Sequence, residues 1–229
     1  MAYGLEIKHK KHLHLVGWFI WLSVFAAIVA SGWYGYQYFT KGDLPPFISA
    51  KALQADSRVD ETSVSNVQVL QHVVPKDEPR YISIPKIDVA PARVFSVGLD
   101  ETNQLLAPSN ISDTVWYNKS AKPGSGYGAI LMDAHNGGIT RNGVFANIKS
   151  LQVGDEITLE RGDGEKFIYS VVENQSMHLE EVNKTGMKMM LHSANPDKEG
   201  LNLITSDGNW VPKYKQFDKR IMLRAVLVD

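Results

Sequence analysis

An uncharged run from Leu15 to Thr40 restricts the fold of this chain more than any other feature of its sequence. A helix of this length rises about 39 Å, which is enough to cross the roughly 30 Å hydrocarbon core of a bilayer with some tilt. Aromatic residues of the kind that favour bilayer interfaces lie near both ends of the run: Trp18 and Trp21 at the first, and Trp33, Tyr34, Tyr36 and Tyr38 at the second. The run therefore predicts one transmembrane anchor over residues 15–40.

The residues before this run indicate how the anchor is oriented. Lys8, Lys10 and Lys11 precede it, and the positive-inside rule places such a basic segment in the cytoplasm. Residues 1–14 are then a cytoplasmic tail, and everything after the anchor lies outside the cell. A cleaved signal peptide is the alternative, with small residues between Ala26 and Gly32 near a cut site. Because the apolar region of a signal peptide normally spans only about 7–15 residues, the sequence favours an uncleaved anchor.

Charge and cysteine content exclude several classes of function. The 229 residues include 24 Lys and Arg against 25 Asp and Glu, and this net charge of −1 argues against a nucleic-acid-binding protein. The part beyond the tail is mildly acidic, which gives no reason to expect adhesion to anionic lipid. No cysteine occurs, so disulfides, thiolate zinc sites, iron–sulfur clusters and a cysteine nucleophile are excluded. The histidines lack the close spacing of metal ligands, and we expect neither a metal nor a cofactor.

The segment over residues 41–79 differs in composition from the rest of the chain. It begins with a pair of prolines, contains clusters of polar residues and has no sustained hydrophobic period, which predicts a juxtamembrane spacer. One short helix is expected around Ser49–Gln54. The sequence leaves open a lid that folds back on the outer domain.

From residue 80 to residue 229 the pattern changes to short apolar runs separated by turn residues, which predicts an all-β domain. So many short strands in about 150 residues are typical of a closed barrel or a sandwich. Short helices are expected only at Gly143–Leu151 and after Met177. The eight predicted strands are Tyr81–Ile84, Val89–Val97, Thr114–Tyr117, Tyr127–Asp133, Glu156–Arg161, Lys166–Asn174, Leu201–Thr205 and Arg220–Val228.

Three residues of this domain are candidates for catalysis. His135 lies where an apolar strand enters a glycine-rich loop, a suitable position for acid–base chemistry near neutral pH. Ser206 follows Thr205 at the expected exit of a strand, although a Ser-Asp-Gly turn without function has the same sequence. Arg220 begins the last strand, where it either donates hydrogen bonds to a developing oxyanion or pairs with Asp218. Taken singly, each residue is explained as well by a structural role.

The order and spacing of these three residues resemble the sortase family over Arg80 to Asp229. The resemblance rests on the stretches ISIPKIDV, VWYNKSAKPGSGYGAILMDAH, GVFANIKSLQVGDEITL, LNLITS and KRIMLRAVL. Sortases carry a histidine at the end of one strand, a cysteine at the end of a later strand in a Thr-Leu-x-Thr-Cys motif, and an arginine on the last strand. His135, Ser206 and Arg220 occupy these positions. The Trp-Tyr pair followed by Pro-Gly looks most like the class D, E and F branches.

The resemblance implies an eight-stranded sortase-type β-barrel with short helices and a peptide-transfer activity. Sortases cut a sorting signal of the Leu-Pro-x-Thr-Gly kind on surface proteins and hold the acyl group as a thioester. An amine from a peptidoglycan precursor or a pilin lysine then releases the product. On this pattern His135 would be the general acid and base, and Arg220 would bind the substrate carbonyl or the oxyanion.

The resemblance also implies which residues contact the substrate. Ala134 and Thr205 belong to the two motifs and would help to form the site. The long connection from Ser176 to Gly200 contains Met187 and Met189, and it matches the loop that holds the apolar residues of the signal. Methionine is adaptable enough for that task, although packing in the core is an equally good interpretation.

Ser206 is the departure from the family pattern that matters, because sortases place their cysteine nucleophile there. A thiol has a pKa of about 8.5 and can be held as a thiolate by a nearby positive charge. A serine hydroxyl instead needs a general base within hydrogen-bond reach and a third group that orients this base. Asp133 and Asp207 are the candidates for that orienting group.

Three hypotheses for Ser206 follow. The first is a natural or engineered replacement in an otherwise intact sortase, which binds substrate but is nearly inactive. The second is a working serine peptidase or acyl-transferase on the same scaffold. The third is a catalytically silent surface module that binds peptides. We favour the first for family and architecture.

Overall fold

The computed structural model describes residues 10–46, 48, 59–101 and 103–228, with side chains from residue 16 onward. Its first element is helix α1, Lys10–Lys41, whose stretch Val16–Lys41 has a mean hydropathy of 1.7 and does not pack inside the protein. Among the described residues it is the one helix long and apolar enough to cross a membrane, which confirms the expected apolar N-terminal helix. The helix expected around Ser49–Gln54 lies outside the described residues.

Eight strands form a closed barrel, as the sequence predicted. Going round the barrel, the order of neighbours is β1-β2-β3-β4-β7-β8-β6-β5. Strand β2 runs parallel to β3, and β4 runs parallel to β7, whereas the other neighbouring pairs are antiparallel. The strands are β1 Pro79–Ile84, β2 Val89–Val97, β3 Thr114–Tyr117, β4 Ala129–Ala134, β5 Glu156–Arg161, β6 Lys166–His178, β7 Gly200–Val211 and β8 Gln216–Leu227.

Alternation of apolar and polar residues closes the barrel around one core. In β5 the side chains of Ile157 and Leu159 are fully buried, and the intervening residues point outward. In the paired strand β6, Tyr169 and Val171 are buried in the same way. Because side chains alternate between the faces of a strand, this pattern commits one face of each strand to the barrel interior. Trp116 of β3 is also among the largest side chains of this core.

A buried carboxylate holds the loop that leads into β4. Glu199 is 1% exposed, and its carboxylate accepts hydrogen bonds from the backbone of Gly124 and Gly126 and from the hydroxyl of Ser125. The hydroxyl of Tyr169 donates to the same carboxylate at 2.5 Å, and burial together with this contact raises the pKa of Tyr169. A buried charge of this kind is tolerated because all these donors surround it. The start of β4 is therefore fixed from inside the barrel.

Six short helical segments lie outside the strands in the described part of the chain, and two of them are the 3-10 turns Pro85–Ile87 and Ile148–Ser150. Helix α2, Asn66–Leu70, begins with a capping box between Ser65 and Gln68. The expected helical stretch after Met177 consists of α3, Leu179–Glu181, a π-helical turn and α4, Met187–Met190.

The helix expected over Gly143–Leu151 is wrong: turns lead into a single 3-10 turn, Ile148–Ser150. The side chain of Asn174 donates to the carbonyls of Ile148 and Leu151, so the barrel takes up acceptors that a longer helix would use.

Strand β7 does not end at Thr205, as the sequence had suggested. It continues through Ser206, and its pairing with β8 includes Ser206 opposite Arg220 and resumes beyond a bulge with Trp210 opposite Phe217. Gly208 lies in this bulge with a φ of 79°, and a side chain there would collide with the carboxylate of Asp218. The Ser-Asp-Gly segment is thus a bulged strand rather than a turn. Ser206 lies within β7, and the residues directly before and after it also pair with β8.

Candidate active site

The strand register brings His135, Ser206 and Arg220 into one row. Strands β4 and β7 pair in parallel up to Asp133 opposite Ile204, and two further residues along this register His135 comes beside Ser206. Ser206 in turn pairs with Arg220 of β8. All three residues line a groove of about 660 Å³ on the surface of the barrel. The structure therefore brings the three sequence-predicted residues into one groove, with His135 directly after the end of β4 and Ser206 and Arg220 paired on β7 and β8.

The imidazole of His135 is oriented by a backbone carbonyl. Its Nε2 lies 2.7 Å from the carbonyl oxygen of Pro108, which can only accept a hydrogen bond. The neutral ring therefore carries its proton on Nε2 and keeps a free lone pair on Nδ1, the atom that a general base needs. This bond assigns the orienting role to Pro108 rather than to Asp133 or Asp207. Asp207 is instead engaged by Lys149 and by the hydroxyl of Ser176.

Ser206 is tied to the loop that follows His135. The side-chain amide of Asn136 donates to the Ser206 carbonyl at 2.8 Å. This contact ties the loop that follows β4 to the backbone of β7 at Ser206. Its position directly after His135 was the only hint in the sequence that Asn136 belongs to the site. Its partner could not be predicted, because Ser206 lies in a strand distant in sequence.

The guanidinium of Arg220 is held in place by backbone carbonyls of its own strand. Its Nη1 donates to the carbonyls of Phe217 and Lys219, at 3.1 and 2.9 Å. Burial lowers its pKa, and the negative charges of Asp133 and Asp218 oppose that effect. A guanidinium remains charged under these conditions, so a fixed cation with further N–H donors lies beside Ser206.

Asp133 adds an acidic group to the same groove. It lies two residues before His135, so both side chains lie on the same face of β4, and both line the groove. Burial raises the pKa of Asp133 to about 7, while the positive charge of Arg220 acts in the opposite direction. The groove therefore contains an acid that changes charge near neutral pH next to a permanent cation.

Ala134 and Thr205 lie behind the row on the opposite face of their strands. Both are 2% exposed, and the hydroxyl of Thr205 donates to the Ala134 carbonyl at 2.6 Å. Ala134 still reaches the groove lining, whereas the side chain of Thr205 is occupied in joining β7 to β4. The expected contact of Thr205 with substrate is therefore replaced by a positioning role behind Ser206.

The methionine-rich connection divides between the groove and the core. Met187 lines the groove, whereas Met190 is fully buried in a cluster with Leu131 and Ile204. Met189 packs at the edge of that cluster. The core-packing interpretation thus applies to part of the connection, and Met187 is the methionine that faces the site.

Asn202 explains how this connection is attached to the barrel. The Thr-Leu-x-Thr-Cys motif has its first threonine at this position. Here the buried side-chain amide of Asn202 donates to the carbonyls of Met190 and His192, both at 2.9 Å. The end of α4 is thereby bonded to β7 four residues before Ser206. The sequence alone did not identify this role, because the partners of Asn202 lie in a different part of the chain.

The groove offers no obvious place for a metal ion. Within the described ranges no three His, Asp or Glu side chains are grouped as metal ligands. The fixed guanidinium of Arg220 next to Asp133 also opposes a second cation there.

Comparisons with known proteins identify the family and the fold. A family model described as Sortase domain matches residues 82–228, which is more than half of the chain. Sortase A from Corynebacterium diphtheriae, in a lid mutant, is 22% identical with a TM-score of 0.50, and the match covers 71% of this chain and 76% of that one. A Clostridium perfringens sortase D5 transpeptidase is 21% identical with a TM-score of 0.47, covering 71% and 86% of the two chains. No curated protein matches the sequence significantly.

The raised pKa of Asp133 predicts a pH-dependent stability. Between the ordinary value of 3.8 and about 7 the folded state binds more protons than the unfolded state, so the free energy of unfolding falls as pH rises through this window. Asp133→Asn removes this dependence. The free energy of unfolding of the variant minus that of the parent should rise by roughly 2–4 kcal/mol from pH 4 to pH 8, measured by urea unfolding in detergent.

A matched control for this experiment is Asp88→Asn, which changes an exposed aspartate outside the groove. Its stability difference from the parent should be the same at both pH values. An Asp133→Asn curve parallel to that of the parent would show that Asp133 does not titrate in this window.

Proposed function

The chain belongs to the sortase family, and we propose that its groove is the site of a sortase-type transpeptidase acting on a Leu-Pro-x-Thr-Gly-like sorting signal. The observation that carries this proposal is the shared groove of His135, which directly follows β4, and of Ser206 and Arg220, which pair on β7 and β8. A base, a nucleophile position and a fixed cation in one groove are the groups that acyl transfer requires.

The proposed first step cleaves the peptide bond after the threonine of the signal. His135 takes the hydroxyl proton of Ser206 on Nδ1 while the Ser206 oxygen attacks the threonine carbonyl carbon. Arg220 stabilises the oxyanion that forms, and His135 then returns the proton to the departing glycine amine. The peptide is left as an ester on Ser206, and the C-terminal part of the signal leaves.

The proposed second step transfers the peptide to an amine. The incoming amine attacks the ester carbonyl and loses a proton to His135, which delivers it to the Ser206 oxygen as that bond breaks. The acceptor is proposed to be a peptidoglycan precursor or a pilin lysine, as the family resemblance implies. The Trp116-Tyr117 pair and the later Pro123-Gly124 support assignment to the class D, E or F branches.

Ser206 is proposed to make this particular chain nearly inactive. Pro108 orients His135 with a neutral carbonyl, so the imidazolium that forms during attack lacks the carboxylate partner of a serine-protease triad. A thiol needs less help, because it is far more acidic than an alcohol. The surroundings of Ser206 therefore suit a cysteine, and this favours a replaced nucleophile in an otherwise intact site over a serine enzyme.

The apolar wall of the groove supports a peptide substrate with leucine and proline at its start. The groove is lined in part by apolar side chains that belong to the cluster around Met190 and to the α3–α4 connection. Met187 lies among them and can adapt its shape to a bound side chain. The apolar residues of this lining include Leu105, Tyr117, Leu131, Val182, Met187 and Leu191.

The protein is proposed to be a single-pass membrane protein with a cytoplasmic N-terminus, an anchor at residues 15–40, a spacer at residues 41–79 and an extracellular catalytic domain at residues 80–229. The amide of Lys213, in the turn between β7 and β8, donates to the Phe39 carbonyl in the last turns of α1. Tyr214 in the same turn lines the groove. These two contacts support a groove that opens toward the membrane, where a membrane-retained substrate protein would present its signal.

The test of this function compares the chain with its Ser206→Cys variant. Incubated in detergent with a fluorogenic sorting-signal peptide and an amine, the variant should turn over at least about a hundredfold faster than the parent. In the Ser206→Cys background, His135→Ala should abolish turnover, and Arg220→Ala should lower it by about a hundredfold or more.

Other outcomes of this comparison would support other functions. A folded Ser206→Cys variant that binds the peptide without cleaving it would indicate the silent binding module. Strong turnover by the parent that is lost in His135→Ala would indicate a serine peptidase or acyl-transferase. Full activity after Arg220→Ala would contradict the proposed site.

The orientation can be tested with single cysteines, because the chain has none of its own. Lys166→Cys places a thiol at an exposed position on the barrel, and Ala2→Cys places one before the anchor. In intact cells a membrane-impermeant maleimide should label the first and should label the second only after permeabilisation. The opposite pattern would overturn the proposed orientation.

A further inference from the structure

Residues Asp60–Ser63, here called the strap, cross from the juxtamembrane spacer onto the barrel. The amide of Asp60 donates to the Ser109 carbonyl at 3.0 Å, and the amide of Ile111 donates to the Asp60 carbonyl at 2.9 Å. The Asn110 side chain between them donates to the Asp60 carboxylate and to the Thr62 carbonyl. The strap is therefore bonded, residue against residue, to the segment that begins directly after Pro108.

The same strap holds the loop that follows His135. The Glu61 carboxylate accepts hydrogen bonds from the amides of Ile139 and Thr140, at 2.6 and 2.9 Å, and from the Thr140 hydroxyl. The Arg141 guanidinium donates to the Glu61 carbonyl at 3.0 Å and to the Ser63 hydroxyl at 3.1 Å. These donors lower the pKa of Glu61, the Thr140 hydroxyl most strongly, so the carboxylate stays ionised.

Gly138 shows how closely the strap and this loop approach each other. A side chain at Gly138 would lie 2.3 Å from the Glu61 carboxylate and 2.9 Å from Ile111, whereas one at the adjacent Gly137 would make only an ordinary contact at 3.5 Å. The loop sequence thus contains a glycine where the strap requires one. This packing is independent of the hydrogen bonds and agrees with them.

The two partners of the strap are the two supports of the His135 ring. One is the Pro108 carbonyl, which accepts the bond from Nε2 and sets the tautomer. The other is the loop from Asn136 to Asn142, which is closed on itself by the bond from the Gly138 amide to the Arg141 carbonyl and is attached to His135 at its start. Neither support lies in a barrel strand. The strap is bonded to both supports, and the amide of Val144, just after the loop, also donates to the Ile111 carbonyl at 3.3 Å.

We propose that the strap is a positioning element of the active site, which keeps His135 in the Nε2–H tautomer beside Ser206. This inference rests on the proposed function for its catalytic consequence. The functional unit then begins near residue 59, although the recognisable family domain begins at residue 82. The strap acts as a brace behind the catalytic histidine, and none of its own residues lines the groove.

The test uses the full chain in detergent and a readout that does not require activity. In ¹⁵N-labelled protein, the imidazole of His135, assigned by comparison with His135→Ala, should show the Nε2–H tautomer in the parent. Glu61→Ala should mix the two tautomers and raise hydrogen exchange at the amides of Ile139 and Thr140 at least about tenfold. Glu156→Ala, an exposed glutamate on β5, is the matched control and should change neither signal.

The catalytic consequence is measured in the Ser206→Cys background. Glu61→Ala should lower kcat about tenfold or more with little change in KM for the peptide, because the base is misplaced while the groove is unaltered. Glu61→Gln, which keeps one acceptor oxygen, should recover part of this loss. Gly138→Ala provides a second variant with an intact carboxylate and should give the same tautomer mixing.

The outcomes separate the two proposals. If Ser206→Cys is inactive but Glu61→Ala changes the His135 tautomer, the proposed function fails and the strap remains. If the tautomer and kcat are unchanged in both Glu61→Ala and Gly138→Ala, although exchange in the loop rises, the strap is only a structural contact and the inference is wrong.

Discussion

The hydrogen-bond register across β4, β7 and β8 is the constraint on which the rest of this protein depends. A strand shifted by one residue would turn its whole set of side chains to the other face. With the observed register, His135, Ser206 and Arg220 share one row, and Ala134 and Thr205 are bonded together behind it. The barrel core, the buried Glu199 and the bulge at Gly208 matter to function because they fix this register.

Around the row, the electrostatics favour a nucleophile more acidic than serine. A fixed guanidinium stabilises negative charge, and a neutral carbonyl orients the histidine. Asp133 responds to pH beside that guanidinium, which gives the groove a charge that varies near neutrality. A thiolate would be stabilised in such a place, whereas an alkoxide would require a stronger base. The chemistry of the site therefore supports the proposal that one nucleophile atom has been replaced.

Much of the fold could be predicted because it depends on local pattern. Short apolar runs separated by turn residues identify all eight strands, and the uncharged run identifies the anchor. The continuation of β7 beyond Thr205 could not be predicted, because a Ser-Asp-Gly sequence is typical of a turn. Only the pairing of this segment with β8 shows that it is a strand. The roles of Pro108, Asn136 and Glu61 were missed for a related reason. Each acts through a partner brought near by the closed barrel, and no local pattern records such a contact.

The central claim is that only the nucleophile atom separates this site from a working transpeptidase. The most direct measurement is the intact mass of the protein after incubation with a sorting-signal peptide and no amine. The Ser206→Cys variant should gain the mass of the peptide up to its threonine, and this adduct should disappear when an amine is added. The parent should show no adduct. Absence of the adduct in a folded, peptide-binding Ser206→Cys variant would contradict the claim.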